Sequence, residues 1–379
     1  MKCKLSDFIS FKNGKKRPIE EGTIPVYGGN GVLGYTNMFN NQNCVVIGRV
    51  GAYCGSVYYE CNKCWISDNA IVGNEKGNAD IKFIYCLLRT LRLNQRHIGT
   101  SQPLLTQEIL NKIEVDLPDL ATQKKIAKIL SALDDKIECN NQINKNLEEQ
   151  AKEVFKEWFI DNSENVSWES GNFSDLITST LSGDWGKDEL GGNNTEKVYC
   201  IRGADIPEVK TGNKGKMPVR YIIPKNLQSK QLEDGDIVVE ISGGSPSQST
   251  GRSTVITRSL LDRYDSNIVC TNFCKALKPV KGYSMFIYYY FQYLYDKNIF
   301  FSYENGTTGI KNLDLAGFLE TESIVIPPKN LIDDFNKLCK SSFNLIFANG
   351  KEIEKLSTIR DTLLPKLMSG ELDVSDIDI

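Results

Sequence analysis

Few of the 379 residues have the types and spacing that chemistry requires. A single histidine, His97, argues against a Ser-His-Asp hydrolase and against most His-ligated metal sites. No phosphate loop of the form G-x-x-x-x-G-K-[ST] occurs. The one Pro-Pro lies in Ile326-Pro327-Pro328-Lys329, without the Asn or Asp and the aromatic residue of an adenine methyltransferase motif. Glu208-Val209-Lys210, with Asp184 or Asp188 upstream, loosely mimics a metal-dependent nuclease triad, but Glu-x-Lys triplets are common by chance. Cys61-Asn62-Lys63-Cys64, with Cys44 and Cys54 nearby, offers four zinc ligands. Their spacing is irregular and the stretch reads as strands, so buried thiols are the plainer reading. Cys270 and Cys274 read as strand interior. The run Tyr288-Tyr289-Tyr290-Phe291-Gln292-Tyr293-Leu294-Tyr295 could stack on bases. Its match to Tyr85-Cys86-Leu87-Leu88 favours a packed helix. His97 sits among Arg89, Arg92, Gln95 and Arg96, either a solvated face or a phosphate-binding edge.

The elements that must position such groups are short strands and glycine-rich turns. Val45-Val46-Ile47 and Ala70-Ile71-Val72 are buried-strand signals, followed by a helix around Asp80–Leu93. Residues 163–325 repeat this with Asp236–Ile241 and Ser266–Val269. Glycine is dense at 28–34 and at 242–251. Long, polar, permissive loops on a compact frame are how recognition surfaces are built.

Composition bounds the class. The chain is 40% hydrophobic and 25% charged, too apolar for disorder. Its length predicts two or three domains. No apolar run reaches the ~18 residues of a membrane span. The start, Met1 to Asp7, lacks the apolar stretch of a signal peptide, which predicts a cytoplasmic protein. Eleven cysteines in a reducing compartment are expected to be thiols. The net charge is +4 for residues 1–117, −2 for 118–162, −3 for 163–327 and −2 for 328–379. No segment is strongly basic, so any nucleic-acid contact must gather its cations on one face or borrow charge from a partner.

The chain repeats itself. Ser6-Asp7-Phe8-Ile9 resembles Ser174-Asp175-Leu176-Ile177, and Lys82-Phe83-Ile84-Tyr85 resembles Met285-Phe286-Ile287-Tyr288. Gly99-Thr100-Ser101 matches Gly306-Thr307-Thr308, and Val115-Asp116-Leu117-Pro118 matches Ile324-Val325-Ile326-Pro327. Beyond those prolines the match runs without gaps. It predicts two copies of one unit: a mixed globular domain, a short strand, a proline and a long helix. In the first helix Ile126, Leu130, Leu133, Ile137, Asn140, Asn144, Leu147, Ala151, Val154 and Trp158 form an unbroken heptad seam. From Gln123 to Trp158 that helix would run roughly 54 Å. The second seam is Phe335, Cys339, Ser342, Ile346, Asn349, Ile353, Leu356 and Leu363, and Pro365 should end or kink it. The asparagines on the seams can fix register at some cost in stability.

With this repeat, the chain resembles a specificity (S) subunit of a type I restriction–modification system along essentially its whole length. The most specific stretch runs from Leu117-Pro118-Asp119-Leu120-Ala121-Thr122-Gln123-Lys124-Lys125-Ile126 through Leu133-Asp134-Asp135-Lys136-Ile137 to Phe155-Lys156-Glu157-Trp158-Phe159. The tail from Leu356 to Leu372, with Arg360-Asp361-Thr362-Leu363-Leu364-Pro365-Lys366-Leu367, resembles the family's second conserved end. Ile47-Gly48-Arg49-Val50-Gly51-Ala52 and Gly99-Thr100-Ser101-Gln102-Pro103-Leu104 are family-like turns. The second half departs with Ile241-Ser242-Gly243-Gly244, which leaves Arg49 without a counterpart.

The resemblance implies an α+β fold with two mixed α/β target recognition domains, separated by two long antiparallel coiled-coil helices in a pseudo-twofold repeat. The domains would be residues 1–117 and 163–327, and the conserved helices 118–162 and 328–379. Each domain would read one half of a bipartite double-stranded DNA target in the major groove. The helices would set the spacing and dock two methyltransferase subunits, and restriction/translocase subunits would join them. This chain would be non-catalytic, with no cofactor or metal of its own and no membrane contact. S-adenosylmethionine, Mg2+ and ATP would belong to the partners. The polar loop residues suited to DNA contact are Lys15, Lys16, Arg17, Asn30, Tyr35, Arg49, Asn69, Thr100 and Gln102 in the first domain. In the second they are Trp185, Lys187, Arg202, Ser245, Gln248, Arg252, Asn272, Thr307 and Lys311. Other readings are an orphan or silent DNA-binding protein and a protein-binding helical scaffold.

Overall fold

The run Val45-Val46-Ile47 has no polar face to turn to water, and all three side chains are fully buried within a sheet. In the computed structural model, which describes residues 2–99, 102–245, 247–306 and 310–378, that sheet belongs to the first of two units. The first unit is built from residues 1–136 and 356–379, the second from residues 137–355.

The strands of the first unit are β1 (Lys2–Lys4), β2 (Ile9–Asn13), β3 (Ile24–Gly28), β4 (Gly31–Thr36), β5 (Asn41–Gly48), β6 (Val57–Ile66), β7 (Ala70–Glu75) and β8 (Glu114–Asp116). Six of them form one sheet in the order β2-β7-β5-β6-β3-β4. Its pairings are antiparallel except β3 with β6. The remaining two pair with each other, Cys3 opposite Val115. Two short helices, α1 (Leu5–Phe8) and α3 (Gln107–Asn111), flank α2 (Ile81–Thr90) in the chain. Asp80 caps α2 by accepting from the Phe83 N–H at 2.9 Å, and Ile81, Phe83, Ile84, Leu87 and Leu88 fill the core. The long helix α4 (Leu120–Phe155) adds Ile126 and Leu130 to the same core.

The second unit repeats this frame. Its strands are β9 (Glu169–Asn172), β10 (Ile177–Ser182), β11 (Glu196–Ile201), β12 (Val219–Ile222), β13 (Ile237–Glu240), β14 (Ser242–Gly243), β15 (Ser253–Val255), β16 (Asn267–Cys270), β17 (Cys274–Pro279), β18 (Glu304–Asn305), β19 (Lys311–Leu313) and β20 (Ser323–Ile326). The order β10-β17-β13-β15 mirrors β2-β7-β5-β6. The order β12-β11-β16 mirrors β4-β3-β6, and the β11–β16 pair is parallel like β3–β6. One long strand in the first unit, β6, is thus two in the second, β15 and β16, with residues 256–266 between them. The third small sheet is β14-β19-β18, and β20 pairs β9 as β8 pairs β1. The local start signals recur too. The N–H of Lys4 donates to Asp7 and that of Asn172 to Asp175, each at 2.8 Å. The aromatic run forms α5 (Ser284–Asp296), with Tyr288, Tyr289 and Phe291 at most 1% exposed. It is a packed helix, and those rings are not available for stacking on a ligand.

Two helix ends differ from the heptad reading. α4 stops at Phe155 and continues as a π turn, Lys156–Ile160. The change of pitch buries Phe155 and Phe159, while Trp158 is only partly covered. The C-terminal helix α6 (Lys329–Ser369) continues past Pro365, which does not end it. A proline inside a helix costs about 3 kcal/mol. Leu364 and Leu367, buried on either side of it in the first unit's core, hold the last turn in place.

Within each unit α4 and α6 segments pack antiparallel. In the second, the Phe155 and Phe335 rings lie 5.9 Å apart, and Asn140 donates to Glu352 at 2.7 Å. In the first, Arg360 donates to Asp134 at 2.8 Å. Ile126, Leu130, Asn140, Asn144, Phe335, Ile346, Asn349 and Ile353 are buried, whereas Leu133, Ile137, Leu147, Val154, Leu356 and Leu363 are half-buried. Asn144 is the most heavily used of the seam amides. It donates to the Thr211 carbonyl (3.0 Å) and the Ile346 carbonyl (3.1 Å), and accepts from Asn349 (2.8 Å). Its replacement by alanine strands two buried groups and one partly buried carbonyl. Asn144→Ala is expected to lower unfolding free energy by about 2–3 kcal/mol, against less than about 0.5 for the exposed Gln142→Ala. Urea unfolding of the purified chain checks this.

Candidate nucleic-acid interface

A turn without regular structure needs partners for its backbone, and the Ser67-Asp68-Asn69 turn finds them in three other loops. Ser67 N–H donates to Tyr27 at 2.9 Å, Lys15 N–H to Ile66 at 2.9 Å, and Arg49 N–H to Asn69 at 3.0 Å. The Leu105 N–H closes the group on the Arg49 carbonyl at 2.9 Å. Gly14 permits it, because a Cβ there would collide with the Ser67 carbonyl. Lys15, Asn69, Arg49 and the chain next to Gln102 are thereby brought together at one end of the sheet. Gly29, which precedes Asn30, lies against Asn69 and Gly48.

Lys15, Lys16, Arg17, Asn30, Asn69 and Gln102 are exposed, and Arg49 is half-buried. Arg17 lies against Gly34 of β4, and Tyr35 is exposed on the same edge strand. The Arg49 Nη1 makes one long contact, 3.5 Å to the Asp68 carbonyl, and its buried Nε has no partner. Among the described residues no carboxylate pairs with Lys15, Lys16, Arg17 or Arg49. Thr100 lies outside the described residues.

The second unit builds the same turn from the same bonds. Thr271 N–H donates to Ile201 at 3.0 Å, Asp184 N–H to Cys270 at 2.8 Å, Ile241 N–H to Phe273 at 2.9 Å, and Leu313 N–H to Ile241 at 2.8 Å. Gly183 takes the part of Gly14, its Cβ position blocked by the Thr271 carbonyl. Ile241 therefore stands where Arg49 stands, so the arginine has no counterpart. Trp185 stands for Lys16, Arg202 for Gly28, Glu240 for Gly48 and Arg252 for Ser56. A cleft of about 530 Å³ lies between these groups, lined among others by Trp185, Arg202, Glu240, Arg252, Asn272 and Phe273.

Its cations are neutralised from inside. Arg252 donates to both oxygens of Glu240, at 2.8 and 2.6 Å, and that bond raises the guanidinium above its usual value. Arg202 makes the same fork to Asp205, at 2.9 and 3.0 Å. Burial alone would push the Asp205 carboxyl up, but the bonds from Arg202 and two backbone N–H groups outweigh it and hold it below the usual carboxylate value. Lys311 lies 2.7 Å from Glu304. Lys187 is exposed and pairs through its backbone with Tyr221. Ser245 and Gln248 close a turn, 2.8 Å between backbone groups. Thr307 lies outside the described residues.

Glu240 and Phe273 in this cleft, and Asp205 buried behind Arg202, are neither basic nor amide side chains. Glu240 and Asp205 are acidic, and Phe273 is apolar yet 58% exposed. The i,i+3 spacing of Arg202 and Asp205 was the one sequence signal for a clamp.

The alternative chemistries are not assembled. Cys44 and Cys64 lie 3.7 Å apart, but Cys61 is exposed and Cys54 sits in a different cluster, its thiol toward the Arg49 carbonyl. Among the described residues no three His, Cys, Asp or Glu surround a common point. Lys210 faces Glu148 at 3.2 Å, Asp184 accepts from Asn226, and Asp188 pairs with Arg220, so the nuclease-like residues point to separate partners. Arg89 lies over the Tyr85 ring and 3.9 Å from Asp134, while Arg96 donates to the Leu91 carbonyl, which divides the cluster around His97. No helix among the described residues is long and apolar enough to cross a membrane.

Residues 1–149 match the type I restriction modification DNA specificity domain family. The chain is 28% identical over 315 residues to the type I restriction enzyme MjaIX specificity subunit of Methanocaldococcus jannaschii, covering 78% of this chain and 70% of that protein. It is 25% identical over 332 residues to the HindI specificity subunit of Haemophilus influenzae, covering 71% of each. The fold is that of the solved S subunit from M. genitalium, with a TM-score of 0.61, 18% identity and 99% of this chain covered. Over residues 1–149 the chain is thus similar to a type I DNA specificity domain, and the relatives it matches over most of its length are type I specificity subunits. The matched stretch takes in most of α4.

Because Asp205 is held below the value of an unfolded aspartate, the stability it contributes is full above about pH 4 and is lost as the pH falls further. Asp205→Asn is expected to cost about 1–3 kcal/mol at pH 7. The deficit should shrink below about pH 4, measured by urea unfolding at both pH values.

Proposed function

We propose that this chain is the non-catalytic sequence-recognition subunit of a type I restriction–modification complex, each unit reading one half of a bipartite double-stranded DNA target. The observation that carries the reading is the turn cluster built twice on identical backbone bonds and displaying different side chains each time. One frame with two sets of readers suits a split target whose halves differ. The two long helices set the spacing between half-sites and dock two methyltransferase subunits. Those partners supply S-adenosylmethionine and the adenine chemistry, and restriction/translocase subunits add Mg2+- and ATP-dependent cleavage, in the cytoplasm. A net charge of −3 fits a chain whose partners complete the clamp on DNA.

In the first unit the unpaired Lys15, Lys16 and Arg17 suit phosphates, and Arg49 and Asn69 suit base edges. A methylome comparison between the source strain and a strain lacking this gene tests the function. Loss of adenine methylation at one split motif, both halves together, is the expected result, and unchanged methylation refutes it. Lys15→Ala with Lys16→Ala is expected to weaken cognate and random duplexes alike. The slope of log K against log salt should fall by about 1–2, measured by anisotropy on the complex with its methyltransferase.

A further inference from the structure

The cleft of the second unit holds two arginines on carboxylates where the first unit has glycine and serine. Neutralised arginines are poor phosphate ligands, since an approaching anion meets a cation and its counter-charge together. A neutral, polarised base edge is not repelled in this way. The carboxylates also fix the guanidinium planes. Arg252 gives Nε and one hydrogen of Nη2 to Glu240. Its end-on edge, Nη1 with the second hydrogen of Nη2, has no partner among the described residues. That edge is the fork that matches O6 and N7 of guanine. Arg202 has less to offer, because its Nη2 also donates to the Lys216 carbonyl at 2.7 Å. The Glu240 side chain is 6% exposed and that of Arg252 25%, so the clamp is held inside the wall while the fork reaches the cleft. Trp185 and Phe273, both partly exposed, line the same cleft and reduce the water that would compete for the fork.

We propose that Arg252, positioned by Glu240, reads a guanine in the half-site of the second unit, and that this unit takes its specificity from neutral clamps while the first takes its affinity from unpaired cations. The inference rests on the bipartite reading above. Glu240 is a positioning residue, since it acts through Arg252.

The test uses the full chain with its methyltransferase subunits in cells, comparing methylomes of wild type, Arg252→Lys and Glu240→Gln. Arg252→Lys keeps a cation opposite Glu240 but loses the fork. Both variants are expected to relax one G·C position in one half-site by about tenfold to a hundredfold, with the other half-site unchanged. The unchanged half-site shows that the variants fold. On random duplexes, Glu240→Gln should steepen the salt slope by about 1, while Arg252→Lys leaves it nearly unaltered. An unrelaxed motif in both variants overturns the proposal. So does a uniform weakening on all sequences in Arg252→Ala with a slope shallower by about 1, which marks a phosphate contact. A wild type with no dependent motif refutes the bipartite reading itself.

Discussion

The approach of one glycine to one carbonyl decides where the displayed side chains of each unit stand. Gly14 passes so close to the Ser67 carbonyl that no Cβ fits, and Gly183 does the same at Thr271. With that contact made, the neighbouring strand ends can share hydrogen bonds, and four chain segments become one rigid patch. Loops held this way keep side chains in register without a helix in the groove. It also separates two tasks. The backbone bonds carry the geometry, so the side chains are free to vary in charge. That is why Lys16 can be Trp185 and Ser56 can be Arg252 on an unchanged frame.

The helix segments solve a different problem. A seam of leucine alone would pack in several registers. Here Asn144 ties α4 to the Ile346 carbonyl and to Asn349, and also to the Thr211 carbonyl of the globular part of the same unit. Gly212 and Gly350 stand beside it, each closely approached by backbone. A shift by one turn would leave the Asn144 and Asn349 amides and the Ile346 carbonyl buried without partners, each costing about 1–3 kcal/mol. The asparagines therefore fix the globular part of the second unit against its helix pair, beyond any role in matching helix to helix.

Much of the frame was legible in the residue pattern. The buried runs at Val45 and Ala70, the helix that begins after Asp80 and the repeat of Ser6-Asp7 in Ser174-Asp175 all follow from local rules of burial and periodicity. Pro365 does not end its helix, although local propensity favours a stop there. The packing of Leu364 and Leu367 that overrides it depends on residues more than two hundred positions away. The cleft was legible only in part. Trp185, Arg202, Arg252 and Asn272 stand out as polar or aromatic loop residues, and the structure brings them to one place. Glu240 does not, because an acid next to DNA looks unfavourable until its partner is known. Its role depends on a bond between residues twelve apart on adjacent strands, which no periodicity marks.

That division of labour also explains the charge pattern. A recognition surface that relied on unpaired arginines throughout would bind any duplex, since phosphate attraction does not depend on sequence. Placing Glu240 and Asp205 behind two of the cations gives up part of that attraction and leaves directional donors in its place. The first unit, net +4 over residues 1–117, keeps Lys15, Lys16 and Arg17 unpaired and so retains the long-range pull. On the proposed reading, a near-neutral chain can read bases in both half-sites and still be drawn to DNA chiefly through the first unit. Its dependence on salt should come from one half of its sequence and its dependence on base identity more from the other.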